Sequence, residues 1–151
     1  MTEKSQSFIL EQMAELSFFK EMTVEERRAL CETERAIRFF STNEVVLCQD
    51  DKDTAFFIVL DGQLSVIRNG PPEIFLASLV PGSLFGEVTM AGDRPRTSSV
   101  TADNKVIVLR VDHALLEKTD PSISTKIKDQ IIRLLTRRLD EMNQKLSSFV
   151  R

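Results

Sequence analysis

The residues whose types and spacing could do chemistry lie in one loop near the middle of the chain. Gly86 and Glu87 stand near its start, and Arg96 follows nine positions after Glu87, directly before Thr97 and Ser98. Glycine permits close backbone approach, glutamate accepts hydrogen bonds, and arginine presents a planar fork of five donors. The small residues after Arg96 leave backbone amides uncovered, and free amides favour an anion. We therefore expect a pocket for a ligand with one phosphate group and at least one hydroxyl group.

The residue counts exclude metal centres that need several histidines or four cysteines. The chain has one histidine, His113, and two cysteines, Cys31 and Cys48. Multi-histidine centres, four-cysteine zinc sites and iron–sulfur clusters need more ligands than these. An enzyme built on a cupin-like barrel, the main catalytic alternative, would need clustered histidines to hold its metal. We expect no catalytic residue, no metal and no cofactor, and we expect both cysteines to lie in the core.

Composition favours a single-domain cytoplasmic protein. The 151 residues are 42% hydrophobic and 28% charged, which is enough for one core. The net charge is −3, so no basic excess points to nucleic acid or to a membrane surface as a partner. The longest fully apolar run, Ala55 to Leu60, is far shorter than the roughly 20 residues that span a bilayer. The first residues also lack the pattern of a signal peptide.

The hydrophobic pattern divides the chain into three zones. Residues 6–33 are predicted to be helical, with a capping box at Thr23-Val24-Glu25-Glu26. Residues 113–151 are predicted to form a short helix and then a long one. Residues 36–112 hold seven or eight short β-rich runs separated by turn signals, which indicates a small antiparallel barrel or jelly roll. The runs are Ala36–Phe40, Val45–Cys48, Ala55–Leu60, Leu64–Arg68, Ile74–Val80, Ser98–Ala102 and Val106–Val111, and the turns include Asp61-Gly62 and Pro81-Gly82.

The long C-terminal helix carries two apolar stripes. The first, formed by Ile123, Ile127, Ile131 and Leu134, is typical of a helix docked on a globular core. The second has the alternating three- and four-residue spacing of a coiled-coil seam. Since the first stripe already covers the core, we expect the second to pair with another copy of the chain. The second stripe consists of Ile132, Leu135, Leu139, Met142, Leu146 and Phe149.

Two short motifs resemble a known ligand module. Phe85-Gly86-Glu87 and Arg96-Thr97-Ser98 are similar to the phosphate-binding cassette of cyclic nucleotide-binding domains. Such domains occur in catabolite-activator-type regulators, kinase regulatory subunits and cyclic-nucleotide-gated channels. Residues 56–66 resemble the hairpin of the family, and residues 76–82 resemble the strand that leads into its cassette. The resemblance covers about residues 8–151, and it implies an antiparallel β-roll, jelly-roll-like, with flanking helices, as one domain over residues 1–151.

The resemblance implies a role for each residue of the cassette. Arg96 would pair with the cyclic phosphate, and Glu87 would accept a hydrogen bond from the ribose 2′-hydroxyl. Backbone amides near Phe85-Gly86 and Thr97-Ser98 would complete the cradle. Thr97 admits cGMP as well as cAMP, with a slight preference for cAMP. The base would meet a residue of the C-terminal helix, for which Arg137 and Arg138 are the candidates.

The resemblance predicts a receptor without chemistry of its own. Binding of cAMP or cGMP would be signalled through the C-terminal helices to a protein effector that the sequence does not identify. Catabolite-activator-type regulators append a winged helix-turn-helix domain, for which no room remains after the long helix, so we expect no DNA binding by this chain. The alternative is a ligand-free module of the same fold that serves dimerisation or protein interaction, against which the presence of both Glu87 and Arg96 argues.

Overall fold

The computed structural model describes residues 1–50, 53–86 and 98–149. Helices occupy both ends of the chain and strands the middle, as the hydrophobic pattern predicts. The helices are α1 (Glu3–Glu15), α2 (Val24–Glu32), α3 (His113–Lys118) and α4 (Pro121–Phe149), with a 3₁₀ turn at Ser17–Phe19. The strands are β1 (Ile37–Phe40), β2 (Val45–Leu47), β3 (Phe56–Asp61), β4 (Leu64–Arg68), β5 (Ile74–Leu79), β6 (Leu84–Phe85), β7 (Ser99–Ala102) and β8 (Val106–Val111).

The strands form two four-stranded antiparallel sheets that make up a β-roll. One sheet has the order β1-β8-β3-β6 and the other the order β2-β7-β4-β5. Among the strands of the described residues, only β4 and β5 are neighbours both in sequence and in a sheet, so most pairings join distant parts of the chain. The antiparallel roll predicted for residues 36–112 is confirmed.

One hydrophobic core lies on each side of β3. Phe56, Ile58 and Leu60 face the helices, whereas Phe57 and Val59 face the interior of the roll. Successive side chains of a strand point to opposite faces, so a strand covered on both faces must be apolar throughout. This explains why residues 55–60 form an unbroken apolar run, all of it buried.

The predicted capping box begins α2. The Oγ1 atom of Thr23 accepts a hydrogen bond from the amide of Glu26 at 3.1 Å, and the Oε1 atom of Glu26 accepts one from the amide of Thr23 at 2.8 Å. Two of the amides that every helix start leaves unpaired are thereby satisfied. The boundary between the N-terminal helices is thus set locally, as the sequence predicts.

The predicted docking stripe of α4 is confirmed. Ile123 and Ile127 are buried in the core beneath the helices, and Ile131 and Leu134 pack partly against it. Leu135, predicted in the outward seam, also packs against this core. Leu135 lies four residues after Ile131 and eight after Ile127, so at 3.6 residues per turn it falls on the docked face as well. The two stripes therefore overlap at Leu135. The other residues of the seam are exposed: Ile132, Leu139, Met142, Leu146 and Phe149.

Glu26 joins α2 to α4. Its Oε1 atom lies 2.6 Å from Nζ of Lys126, and its Oε2 atom accepts a hydrogen bond from the hydroxyl of Ser122 at 2.9 Å. The hydrogen bond from Lys126, followed by that from the amide of Thr23, lowers the pKa of Glu26 from 4.5 to about 2. One carboxylate therefore caps a helix and fastens the N-terminal helices to the C-terminal one.

We expect Glu26→Gln to lower the free energy of unfolding by about 1 kcal/mol at neutral pH, because the amide keeps the cap but loses the ion pair. The folded-state pKa lies below the ordinary value, so the stabilisation is complete above about pH 4.5 and is lost as the pH falls toward 2. Urea unfolding at pH 7 and at pH 2.5 measures both effects. Glu25→Gln, at an exposed neighbouring position, is the matched control. A difference between wild type and Glu26→Gln that stays constant over this range would contradict the assignment.

Candidate ligand-binding site

The strand leading into the predicted loop is held by both cores. In β6, Phe85 pairs with Phe57 of β3 and Leu84 pairs with Ile58. The rings of Phe85 and Phe57 stack with centroids 5.0 Å apart and planes 11° apart, inside the roll. Leu84 points to the opposite face and is buried beneath the helices. Of the predicted site residues, Phe85 therefore supports the loop through its packing in the core.

The predicted turn at Pro81-Gly82 aims β6 at the loop. The amide of Gly82 donates to the carbonyl of Val59 at 2.8 Å, and the amide of Val59 donates to the carbonyl of Ser83 at 3.0 Å. Gly82 has a φ of 94°, a region that side chains disfavour. The turn is thus bound to β3 from both sides, which fixes the direction in which the chain leaves the sheet.

The cassette residues fall partly within the described chain. Gly86 ends the described segment before the loop with a φ of 84°, and Ser98, half-buried, begins the segment after it. Glu87, Arg96 and Thr97 lie outside the described residues. The structure describes the residues on either side of these three, 84–86 and 98–99, which we call the frame of the loop.

The chain leaves the loop at a polar cluster that sequence reasoning missed. Ser99 is 8% exposed, and its Oγ atom accepts hydrogen bonds from the amide of Gln49 at 2.9 Å and from Nδ2 of Asn69 at 3.0 Å. The Oε1 atom of Gln49 in turn accepts from the amide of Asn69 at 2.8 Å. These hydrogen bonds join the β2–β3 connection (Gln49) and the β4–β5 connection (Asn69) to the start of β7 (Ser99). Both ends of the predicted loop are therefore anchored by specific contacts.

Arg138 connects the long helix to the strand before the loop. Its Nη2 atom donates to the carbonyl of Leu84 at 2.6 Å, and the side chain is half-buried. Charge-assisted hydrogen bonds of this length are stronger than those between neutral groups. Arg137, the other candidate on this helix, is exposed. Of the two arginines, Arg138 is therefore the one that contacts the frame of the loop, at Leu84, which is two residues before Gly86.

The structure bears on the expectations about metals and cysteines. No group of three or more His, Cys, Asp or Glu side chains that could hold a metal ion occurs within residues 1–50, 53–86 and 98–149. Cys31 is buried as predicted, and burial raises the pKa of its thiol. The prediction for Cys48 is wrong, because this residue is exposed where β2 ends. Within the same residues, no helix is long and apolar enough to cross a membrane.

The chain is similar to known proteins in sequence. The sequence model of a family described as "Cyclic nucleotide-binding domain" matches residues 37–119. A CRP-like cAMP-activated global transcriptional regulator of Mycobacterium tuberculosis is 26% identical over 113 residues, which is 74% of this chain and 50% of the regulator. A cyclic AMP receptor protein of Thermus thermophilus is 30% identical over 114 residues, which is 72% of this chain and 51% of that protein.

The likeness extends to solved structures. The crystal structure of a cyclic nucleotide-binding domain from Methylobacillus flagellatus superimposes with a TM-score of 0.72 at 23% identity, covering 94% of this chain and 82% of its own. At this identity the superposition shows that the fold is shared. The chain spans about half the length of the curated relatives it matches.

Proposed function

Because the chain belongs to the cyclic nucleotide-binding domain family, we propose that it is a non-enzymatic receptor that binds cAMP or cGMP and signals through α3 and α4. The observation that carries this proposal is the frame around residues 86–98, which is fastened to the core by Phe85, to the polar cluster by Ser99 and to α4 by Arg138. A loop fixed at both ends and linked to a long helix can transmit the presence of a ligand.

The proposed ligand contacts follow the cassette motif. Arg96 neutralises the single negative charge of the cyclic phosphodiester, Glu87 accepts a hydrogen bond from the ribose hydroxyl, and amides beside Gly86 and Ser98 complete the cradle. The names of the two relatives from Mycobacterium tuberculosis and Thermus thermophilus both refer to cAMP, which favours cAMP over cGMP. No metal or other cofactor is part of this proposal, and the two free cysteines are consistent with a reducing cytoplasm.

Signalling is proposed to start at the contact between Arg138 and Leu84. The carbonyl of Leu84 lies in the strand that leads into the loop, so a rearrangement of the loop on binding alters the acceptor that holds α4. A ligand shifts such an equilibrium only by its difference in affinity for the two arrangements. The link gives the nucleotide a direct means to favour one position of the helix.

A second copy of the chain is the proposed partner of the seam on α4. Ile132, Leu139, Met142, Leu146 and Phe149 are exposed by 62%, 60%, 59%, 61% and 84% respectively, and their spacing suits a coiled-coil helix pair. Exposed apolar stripes of this kind mark interaction surfaces. A separate protein effector would use the same stripe. The alternative function, a ligand-free dimerisation or interaction module, rests on this surface alone.

Titration of the full chain with cAMP, cGMP and 5′-AMP tests the receptor. A cyclic nucleotide at about 100 times its Kd is expected to raise the free energy of unfolding by about 2.7 kcal/mol. For a chain of this size that corresponds to a Tm increase of roughly 5–11 °C. The acyclic dianion 5′-AMP is the control and is expected to have little effect. No response to either cyclic nucleotide would refute the receptor and leave the ligand-free module.

The same samples report on signalling and on the partner. In wild type we expect the cyclic nucleotide to change hydrogen exchange in α4, and we expect Arg138→Gln to reduce that change at a nucleotide concentration that saturates the variant. Arg137→Gln, at the exposed neighbour, is the matched control. Sedimentation with and without nucleotide gives the mass of the assembly. A monomer under both conditions would exclude a second copy as the occupant of the seam.

A further inference from the structure

A second concave site lies away from the proposed nucleotide loop. It has a volume of about 260 Å³ and is formed by the turn after α2, the start of β1, the end of β8 and helix α3. Its lining includes none of the residues 84–86 and 98–99 that frame the loop. The volume is smaller than the roughly 300–1,000 Å³ of pockets for larger organic ligands, but it is large enough for a small ion and its water. The charged lining residues are Glu34, Arg35, Arg38, Arg110, Asp112 and Lys118.

Strand register brings Arg38 and Arg110 to one face of the sheet. Arg38 of β1 lies opposite Val108 of β8, and Arg110 is two residues further along β8. Side chains two apart on a strand share a face, so the two arginines are diagonal neighbours. Arg110 is already paired, with Asp112 at 2.6 Å and Asp53 at 3.2 Å. It therefore serves as a fixed wall of the cavity rather than as a free cation.

Arg35 holds an unusual backbone conformation beside this wall. It occupies a turn in which the amide of Ala36 donates to the carbonyl of Thr33 at 3.1 Å, and its φ is 65°. The other described non-glycine residues with positive φ are Asn43 and Asp50, which belong to types that tolerate this region. An arginine does not belong to those types. Strained positions of this kind cluster at ligand clamps.

Three cations of the cavity are available to a ligand. Arg35, Arg38 and Lys118 form no ion pair with a carboxylate of the described chain. Arg38 uses only its Nε donor, which bonds the carbonyl of Arg35 at 3.2 Å. Asp112 is occupied by Arg110 and by the amide of Leu115, which it caps at 2.8 Å. Glu34 is the one carboxylate of the lining without such a bond, so positive charge prevails in a chain whose net charge is −3.

We propose that this cavity binds the phosphate group of a small phosphate monoester, a dianion, independently of the cyclic nucleotide. Two guanidinium groups and one ammonium group match the charge and the several acceptor oxygens of a monoester phosphate. Inorganic phosphate presents the same chemistry as the monoester, and the experiment distinguishes between these two ligands. The site would give the receptor a second input at the end of β8, directly before α3.

Titration of the full ¹⁵N-labelled chain with inorganic phosphate and with glycerol 2-phosphate, at constant ionic strength, tests the site. We expect saturable amide shifts centred on residues 33–38 and 110–118. Lys118→Gln and Arg35→Asn, in which asparagine tolerates the positive φ, are each expected to weaken binding about tenfold or more. Lys105→Gln is the matched control, because Lys105 precedes β8 at the end opposite to Arg110.

The outcomes separate the site from a general effect of charge. Shifts that grow linearly without saturation, or that sodium chloride reproduces, would overturn the proposal. So would equal weakening by Lys105→Gln and Lys118→Gln. Saturable binding of inorganic phosphate without glycerol 2-phosphate would overturn the monoester as ligand, whereas binding of both supports it. Unchanged affinity of Lys118→Gln for cAMP would support the independence of the two sites.

Discussion

Replacing Arg96 with glutamine is expected to weaken the binding of cAMP by about 30- to 4,000-fold. The cyclic phosphodiester carries one negative charge, and the proposed pocket offers Arg96 as the group that neutralises it through two parallel hydrogen bonds. Removing one partner of a buried, hydrogen-bonded charge pair costs roughly 2–5 kcal/mol, which gives this range of affinity. Glutamine keeps a hydrogen-bond donor on a shorter side chain but loses the charge. Isothermal titration calorimetry of both proteins measures the difference.

The control for this experiment is available within the same loop. Arg94 stands two positions before Arg96, and the cassette motif gives it no role, so Arg94→Gln should bind cAMP with nearly wild-type affinity. The two variants change the net charge of the chain equally, which removes long-range electrostatics as an explanation. Equal affinity of Arg96→Gln and wild type would remove the basis of the proposed receptor. Thermal unfolding without ligand confirms that both variants are folded.

Local features of the fold could be predicted from the sequence, whereas pairings could not. The capping box at Thr23 and the turn at Pro81-Gly82 depend on neighbouring residues, and both appear where the pattern places them. The run Ala55–Leu60 coincides with β3 to within one residue at each end. The sequence does not predict the two-residue strand β6, because its existence depends on pairing with β3, some 27 residues earlier. Periodicity carries no information about such partners.

The same limit applies to the site. The cassette residues form two short motifs that lie close together in the sequence, and they could be proposed without a structure. The contacts that hold the cassette in place join Gln49 to Ser99 and Arg138 to Leu84, pairs separated by 50 and 54 residues. Phe85 illustrates the difference, because the motif identifies it while its stacking on Phe57 becomes visible only in three dimensions. The sequence thus indicates the ligand chemistry, and the fold supplies the frame that positions it.

The second large effect is expected at Gly62, in the turn between β3 and β4. Its φ is 91°, and a Cβ atom there would lie 2.4 Å from the carbonyl oxygen of Lys105 and 2.8 Å from Cγ2 of Val106. The left-handed conformation alone costs an alanine about 1–2 kcal/mol. Overlap with packed atoms adds about 1–3 kcal/mol. We expect Gly62→Ala to lower the free energy of unfolding by about 3 kcal/mol or more, measured by urea denaturation.

Two other glycines separate the contributions to this loss. Gly82 has a φ of 94°, but a Cβ atom there would meet only Cδ2 of Leu16 at an ordinary 3.6 Å, so Gly82→Ala should show the backbone cost alone. Gly70 does not have a positive φ, and its nearest contact would be the carbonyl oxygen of Pro72 at 3.4 Å, so Gly70→Ala should change stability least. If Gly62→Ala and Gly82→Ala lose equal stability, the turn beside Lys105 relaxes to admit a methyl group. A larger loss at Gly62 would mean that β8 is held too firmly against β3 to move. Because β3 also pairs with β6, the strand that leads into the loop, a rigid β3 supports the frame on which the proposed receptor depends.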